Sequence, residues 1–194
     1  MKLLIVDDHP LALQGVDFVL RAAGHDTVLA KDLAGAYQQL VEDFDGVLLD
    51  YHFADSNALA WLTTLDVALP RYIVIFSGLS DPEDIIFILE SSPAQAFISK
   101  QIDLSDLPQA LTQLTALDLQ TQWVWNAGRQ QFAPVLEAFK QYEILTPKER
   151  QVFMLLRQGL LDKQIADTLA RSIHTIRVQI RSIKRKRKTI RRSV

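Results

Sequence analysis

The sequence predicts an α/β domain built on a doubly wound five-stranded parallel sheet, followed by a small all-α domain. Three observations predict it. Continuous apolar runs recur at Leu3-Leu4-Ile5-Val6, Val47-Leu48-Leu49, Tyr72-Ile73-Val74-Ile75-Phe76 and Ala96-Phe97-Ile98. Strands that are apolar at every position are covered on both faces, as in parallel sheets. Segments with helical spacing separate these runs, and beyond about residue 145 only helix signals remain.

Taken in order, the strand over Leu3–Val6 precedes a helix that carries Leu11, Val16, Val19, Leu20 and Ala23. Thr27-Val28-Leu29-Ala30 makes a weaker second strand, a later helix carries Ile85, Ile86, Ile88 and Leu89, and the fifth helix runs from about Asp103 to Leu117. Such alternation requires right-handed crossovers. From Asp118 to about Glu143 the periodicity is weak, with Trp123, Trp125 and Asn126-Ala127-Gly128 in a Gln-rich setting; it reads as a linker with a short helix over Ala133–Phe139. The domains are therefore 1–117 and 144–194, joined by 118–143. Thr146-Pro147-Lys148-Glu149 announces a helix through a hydroxyl N-cap, proline at the first helical position and glutamate three residues after the cap. Three helices follow, over about Pro147–Gln158, Lys163–Leu169 and Ile173 to roughly Lys186, with a turn through Gly159 between the first two.

Composition narrows the function. The 194 residues are 48% hydrophobic and 23% charged, enough for a real core, and no apolar run is long enough to span a membrane. Asp7 and Asp8 interrupt the apolar start too early for a secretory signal, so a cytoplasmic protein is expected. Zero cysteine excludes disulfides, thiolate zinc sites and cysteine nucleophiles, and His9, His25, His52 and His174 show no metal-ligand spacing. The net charge of −2 conceals a polar split. Residues 1–120 carry five Lys/Arg against eighteen Asp/Glu, a formal −13, whereas 121–194 carry sixteen against five, a formal +11. An acidic domain joined to a basic one suits a polyanionic partner for the second.

In a doubly wound domain, ligands bind where the strands end at their carboxyl edge. There the sequence puts Asp7 and Asp8 after the first strand, Asp50 after the third, Ser77 at the end of the fourth and Lys100 after the fifth. Clustered carboxylates repel, so the site calls for a divalent cation, and all-oxygen ligands with retained waters suit Mg2+. One carboxylate could then attack phosphorus while Ser77 and Lys100 stabilise the phosphoryl oxygens.

On these residues, 1–117 resembles the receiver domain of two-component response regulators, the CheY-like, flavodoxin-like fold. The resemblance implies the sheet order 2-1-3-4-5 and a phosphoacceptor Asp50 served by a sensor histidine kinase. It implies Mg2+ held by Asp7, Asp8, Asp50 and the His52 main-chain carbonyl, Lys100 paired with the phosphoaspartate, and Ser77 and aromatic Phe97 moving together as a switch. The receiver face is the expected place for pairing of two chains. Ala54, Ala58 and Gln101 stand where the family has proline, glycine and proline, which touches loop rigidity and leaves the chemical groups intact.

A short-turn helix pair whose second helix is basic is the geometry that enters the major groove of double-stranded DNA. Leu145-Thr146-Pro147-Lys148-Glu149-Arg150, Gly159-Leu160 with Lys163-Gln164-Ile165-Ala166, and Ser172-Ile173-His174-Thr175-Ile176-Arg177 resemble the LuxR/FixJ (NarL)-type helix-turn-helix. Ser172 would cap the recognition helix and leave Thr175 near a phosphate. Arg177, Val178 and Arg181 match family positions that touch base edges, and Lys163 a backbone phosphate contact. Ile165, Ile173, Ile176, Ile180 and Ile183 are expected on the core side. The family's fourth helix is expected to be absent, since Lys184 and Arg187 occupy positions that are usually apolar and the chain reads on into a polybasic stretch. An aspartyl phosphatase and a phosphate-independent interaction module are the competing readings; the phosphatase fits poorly because Asp7-Asp8 is not an Asp-x-Asp pair.

Overall fold

The structure, a computed structural model, describes residues 1–54, 56–140 and 142–190, with side chains through Arg187. The chain forms two compact units, Met1–Ala138 and Phe139–Val194. In the first, β1 (Lys2–Val6), α1 (Pro10–Ala22), β2 (Asp26–Ala30), α2 (Leu33–Gln39) and β3 (Gly46–Leu49) are followed by a two-residue-per-strand hairpin, β4 (His52–Phe53) and β5 (Ser56–Asn57). Then come α3 (Ala58–Thr64), β6 (Tyr72–Ser77), α4 (Pro82–Ser91), β7 (Ala96–Ser99), a 3-10 turn (Leu104–Asp106), α5 (Leu107–Leu114), β8 (Trp123–Asn126), β9 (Gln131–Pro134) and α6 (Val135–Ala138). The main sheet has the order β2-β1-β3-β6-β7-β8-β9. Its first five members are parallel and are the five predicted strands.

Helix starts follow local chemistry. The side chains of Asp32, Asn57 and Asp81 accept the amides of Gly35, Ala60 and Glu83 at the heads of α2, α3 and α4. Pro10 and Pro82 occupy first-turn positions where no amide partner exists to lose. On one sheet face Leu3, Ile5, Leu48, Val74, Phe76 and Ile98 pack with Leu13, Val16 and Leu20 of α1 and Leu107, Leu111 and Leu114 of α5. Alternation puts Leu4, Val6, Leu49, Ile75 and Phe97, all buried, on the other face.

In this unit two sequence expectations are corrected. The 118–143 linker contains a hairpin: β8 pairs in parallel with β7 through Ala96↔Trp123 and Phe97↔Val124, and β9 returns antiparallel to β8. Trp125 and Phe132 drive this, meeting edge to face with ring centroids 5.2 Å apart inside the α1/α5 core. The fifth helix does not start at Asp103, which instead caps the 3-10 turn by accepting the Ser105 amide; Pro108 then falls in the first turn of α5.

The second unit holds α7 (Pro147–Arg157), α8 (Asp162–Thr168) and α9 (Ile173–Ile190). Leu145, Val152, Ile165, Ala166, Ile176, Ile180 and Ile183 form its core. Ile173, expected in that core, is 39% exposed at the first position of α9. α9 runs past the expected end near Lys186, so much of the polybasic stretch is helical; Arg191 to Val194 lie outside the described residues. Among the described residues no helix is long and apolar enough to cross a membrane.

Candidate functional site

The parallel ladder continues one residue past each strand and thereby fixes the polar groups of the carboxyl edge. The Asp7 amide donates to the Ala30 carbonyl at 3.1 Å, the Asp50 amide to Val6 at 2.9 Å and the Lys100 amide to Ser77 at 2.9 Å. Asp7, Asp50 and Ser77 are buried, and Lys100 Nζ lies 2.7 Å from both Asp7 Oδ2 and Asp50 Oδ2. Burial disfavours the Lys100 charge, yet hydrogen bonds to Asp50 and Asp7 outweigh it and hold the ammonium above the ordinary lysine range. Asp50 Oδ1 accepts the Tyr51 amide at 2.7 Å. His9, Asp50, His52, Ser77, Gly78 and Lys100 line a cavity of about 480 Å³.

Of the sequence-predicted residues, Asp7, Asp8, Asp50, Ser77 and Lys100 thus share one edge, and His52 reaches the cavity from β4. Phe97 does not line the cavity; it is buried in β7 between Ile75 and Val124. His9 was missed by sequence reasoning. It stands at the N-cap of α1, where its amide donates to Asp7 Oδ1 at 2.9 Å and its Nδ1 lies 2.8 Å from Asp8 Oδ1. Its position directly after the acidic pair and before Pro10 was the available signal.

Asp7, Asp8, His9 and Asp50 each offer one ligand atom, all within 4.8 Å of one another. Donors on opposite sides of Mg2+ stand about 4 Å apart and those of Ca2+ about 5 Å, so the group could hold a metal ion, with a slight closing for Mg2+. Asp8 Oδ1 has the His9 Nδ1 at 2.8 Å as its neighbour, so three carboxylates and one imidazole converge on the same point. The residues fit a hard divalent cation.

After Asp50 the chain pairs β4 with β5, and the Ala58 amide donates to the Tyr51 carbonyl at 2.9 Å.

In the second unit Thr146 and Glu149 close a reciprocal capping box on α7. Glu149 also takes Lys186 Nζ at 2.7 Å, so the late part of α9 is clamped to the start of α7. Burial pushes the Glu149 carboxyl up, but the hydrogen bonds from Lys186, Ser182 and Thr146 prevail and lower it to about 2. Arg187 adds a cation–π contact 4.7 Å from the Phe153 ring centroid. Ser172 Oγ accepts the Thr175 amide at 3.0 Å, the expected cap of α9. Lys163, Thr175, Arg177, Val178 and Arg181 are all exposed. His174, Arg177, Ile180 and Arg181 border, with Asp162, a recess of about 370 Å³.

The family model of the response regulator receiver domain matches residues 3–112, and that of bacterial regulatory proteins of the luxR family matches residues 143–193. The nitrate/nitrite response regulator protein NarL of Escherichia coli strain K12 is 29% identical over 199 residues, spanning 96% of this chain and 88% of NarL. NarP of the same strain is 29% identical over 197 residues, spanning 95% of this chain and 87% of NarP. Among solved structures, RcsB from Salmonella enterica serovar Typhimurium, bound to promoter rprA with phosphomimetic BeF3-, has a TM-score of 0.61 at 24% identity. That likeness covers 94% of this chain and 89% of RcsB and is one of fold.

Proposed function

Since this chain belongs to the response regulator receiver family and is homologous to DNA-binding two-component response regulators, we propose that Asp50 accepts a phosphoryl group from a histidine kinase and that the charge it gains changes DNA binding by the second unit. The family joins a regulatory receiver to a DNA-binding domain and is not an enzyme class. The observation that carries the proposal is the Lys100 ammonium held 2.7 Å from both Asp7 and Asp50 where three strands end.

A carboxylate oxygen of Asp50 attacks phosphorus of the kinase phosphohistidine. The P–O bond forms as the P–N bond breaks, and the electron pair leaves with the imidazole, which takes up a proton. Asp7, Asp8, Asp50 and the His52 carbonyl would hold Mg2+, which supplies charge neutralisation for the transferring group. Lys100 has its charge secured by its neighbours and pairs with the new phosphoryl oxygens; Ser77 donates its hydroxyl to them. Drawing Ser77 toward the phosphoryl group frees space that Phe97 enters, and an added charge of about −1.5 to −2 biases that two-state element. Slow hydrolysis of the acyl phosphate resets the site. Pairing of two chains through the receiver face, in the cytoplasm, is part of the same reading.

In the second unit, Arg177, Val178 and Arg181 read base edges from α9, while Lys163 and Thr175 contact phosphates. The test of the receiver half is labelling of the full chain with acetyl phosphate and Mg2+. Wild type should incorporate phosphate and Asp50→Asn should not; labelling that persists in Asp50→Asn refutes the assignment. For the second unit, Arg177→Ala and Arg181→Ala should each weaken binding to a selected duplex.

A further inference from the structure

The recess beside α9 contains one acidic side chain among basic ones. Asp162 opens α8, and its Oδ2 lies 3.1 Å from Arg177 Nε, while His174 and Arg181 border the same recess. From Arg171 onward the sequence has no acidic residue, so this carboxylate comes to the basic face from a different helix. Both partners are partly open to solvent, at 39% and 62%, and a surface pair of this kind adds little to the stability of the fold.

Its effect on recognition is larger than its effect on folding. A free arginine beside DNA is drawn to whichever phosphate is nearest, a contact blind to sequence. Here the Nε–H is taken by Asp162, and the two terminal nitrogens are left to act as a fork. That fork matches the paired acceptors O6 and N7 of guanine. The Asp162 charge also repels a phosphate from the same place. We propose that Asp162 is a positioning residue that turns Arg177 from a phosphate contact into a reader of guanine, lowering sequence-independent affinity in exchange for discrimination. This rests on the reading of α9 as the recognition helix.

The test uses the full chain, with duplexes selected by the wild-type protein from a random library and scrambled duplexes of equal length. Asp162→Ala and Asp162→Asn should bind scrambled DNA more tightly and lower the ratio of selected to scrambled affinity about fivefold to tenfold. Their salt dependence should steepen by about one counterion, as Arg177 gains a phosphate. Asp162→Glu should restore most of the ratio. In an Arg177→Ala background, removing Asp162 should no longer alter discrimination, since the two act as a unit. Unchanged discrimination and slope in Asp162→Ala, with Arg177→Ala still losing selected-site binding, overturns this inference alone. If Arg177→Ala also binds the selected site normally, the recognition-helix reading falls with it.

Discussion

Replacing Glu149 with glutamine separates the clamp between α7 and α9 from the packing around it. The carboxylate is almost fully enclosed and accepts Lys186 Nζ at 2.7 Å together with the Thr146 amide at 2.8 Å. Its carboxyl falls from 4.5 in the open chain to about 2 when folded. At 1.36 kcal/mol for each tenfold step, that difference corresponds to roughly 3 kcal/mol. Because the folded value is the lower one, this stabilisation is fully present above pH 4.5 and disappears as the pH falls toward 2. Glu149→Gln should therefore destabilise the second unit by about 2–3 kcal/mol at pH 7 and by much less at pH 3. Hydrogen exchange of α7 and α9 peptides in the full chain, corrected for the intrinsic pH dependence, reads this directly. Protection should drop about 30- to 160-fold in the variant at pH 7, and Lys186→Met should behave similarly. If Glu149→Gln keeps wild-type protection at pH 7, or if the loss is the same at pH 3 and pH 7, the reasoning fails.

Three further outcomes follow from the geometry. Lys100→Met leaves the buried Asp7 and Asp50 carboxylates facing each other; without divalent cations it should cost about 2–4 kcal/mol, and Mg2+ should raise its melting temperature more than that of wild type. Because folding raises the Lys100 pKa, its contribution is fully present below pH 10.5 and is lost as the pH climbs through the higher folded value. Phe132→Ala removes half of the Trp125–Phe132 contact inside the core and should lower stability by about 3–4 kcal/mol, with a red shift of tryptophan emission in the folded protein. Ser172→Ala deletes the cap of α9, should cost about 1 kcal/mol and should fray the first turn of that helix in hydrogen exchange.

Where the sequence carried a long, one-signed signal, it was legible. The runs at Leu3–Val6 and Tyr72–Phe76 read as doubly covered strands, and Asp7, Asp50, Ser77 and Lys100 were predictable as neighbours because strand ends in a parallel sheet share one edge. The β8–β9 hairpin was not legible. Trp123-Val124-Trp125-Asn126 is too short to show alternation, and its strand character comes from pairing with β7, a contact 27 residues away in register at Ala96↔Trp123. His9 escaped because histidine at a helix start is usually a surface residue; only the turn that brings its ring back over Asp7 and Asp8 makes it part of the site. The end of α9 was misjudged because a run of like charges argues against helix, whereas Lys186 and Arg187 find partners on α7.

The hairpin that closes the first unit also decides what the sheet offers to other molecules. Had the sheet stopped at β7, its outer strand would be apolar Ala96-Phe97-Ile98, a template for runaway strand-to-strand addition between copies. With β8 and β9 in place, the outermost strand is four residues long and ends in Pro134, whose nitrogen has no hydrogen to donate. A short edge strand that ends in proline is a poor template for such addition.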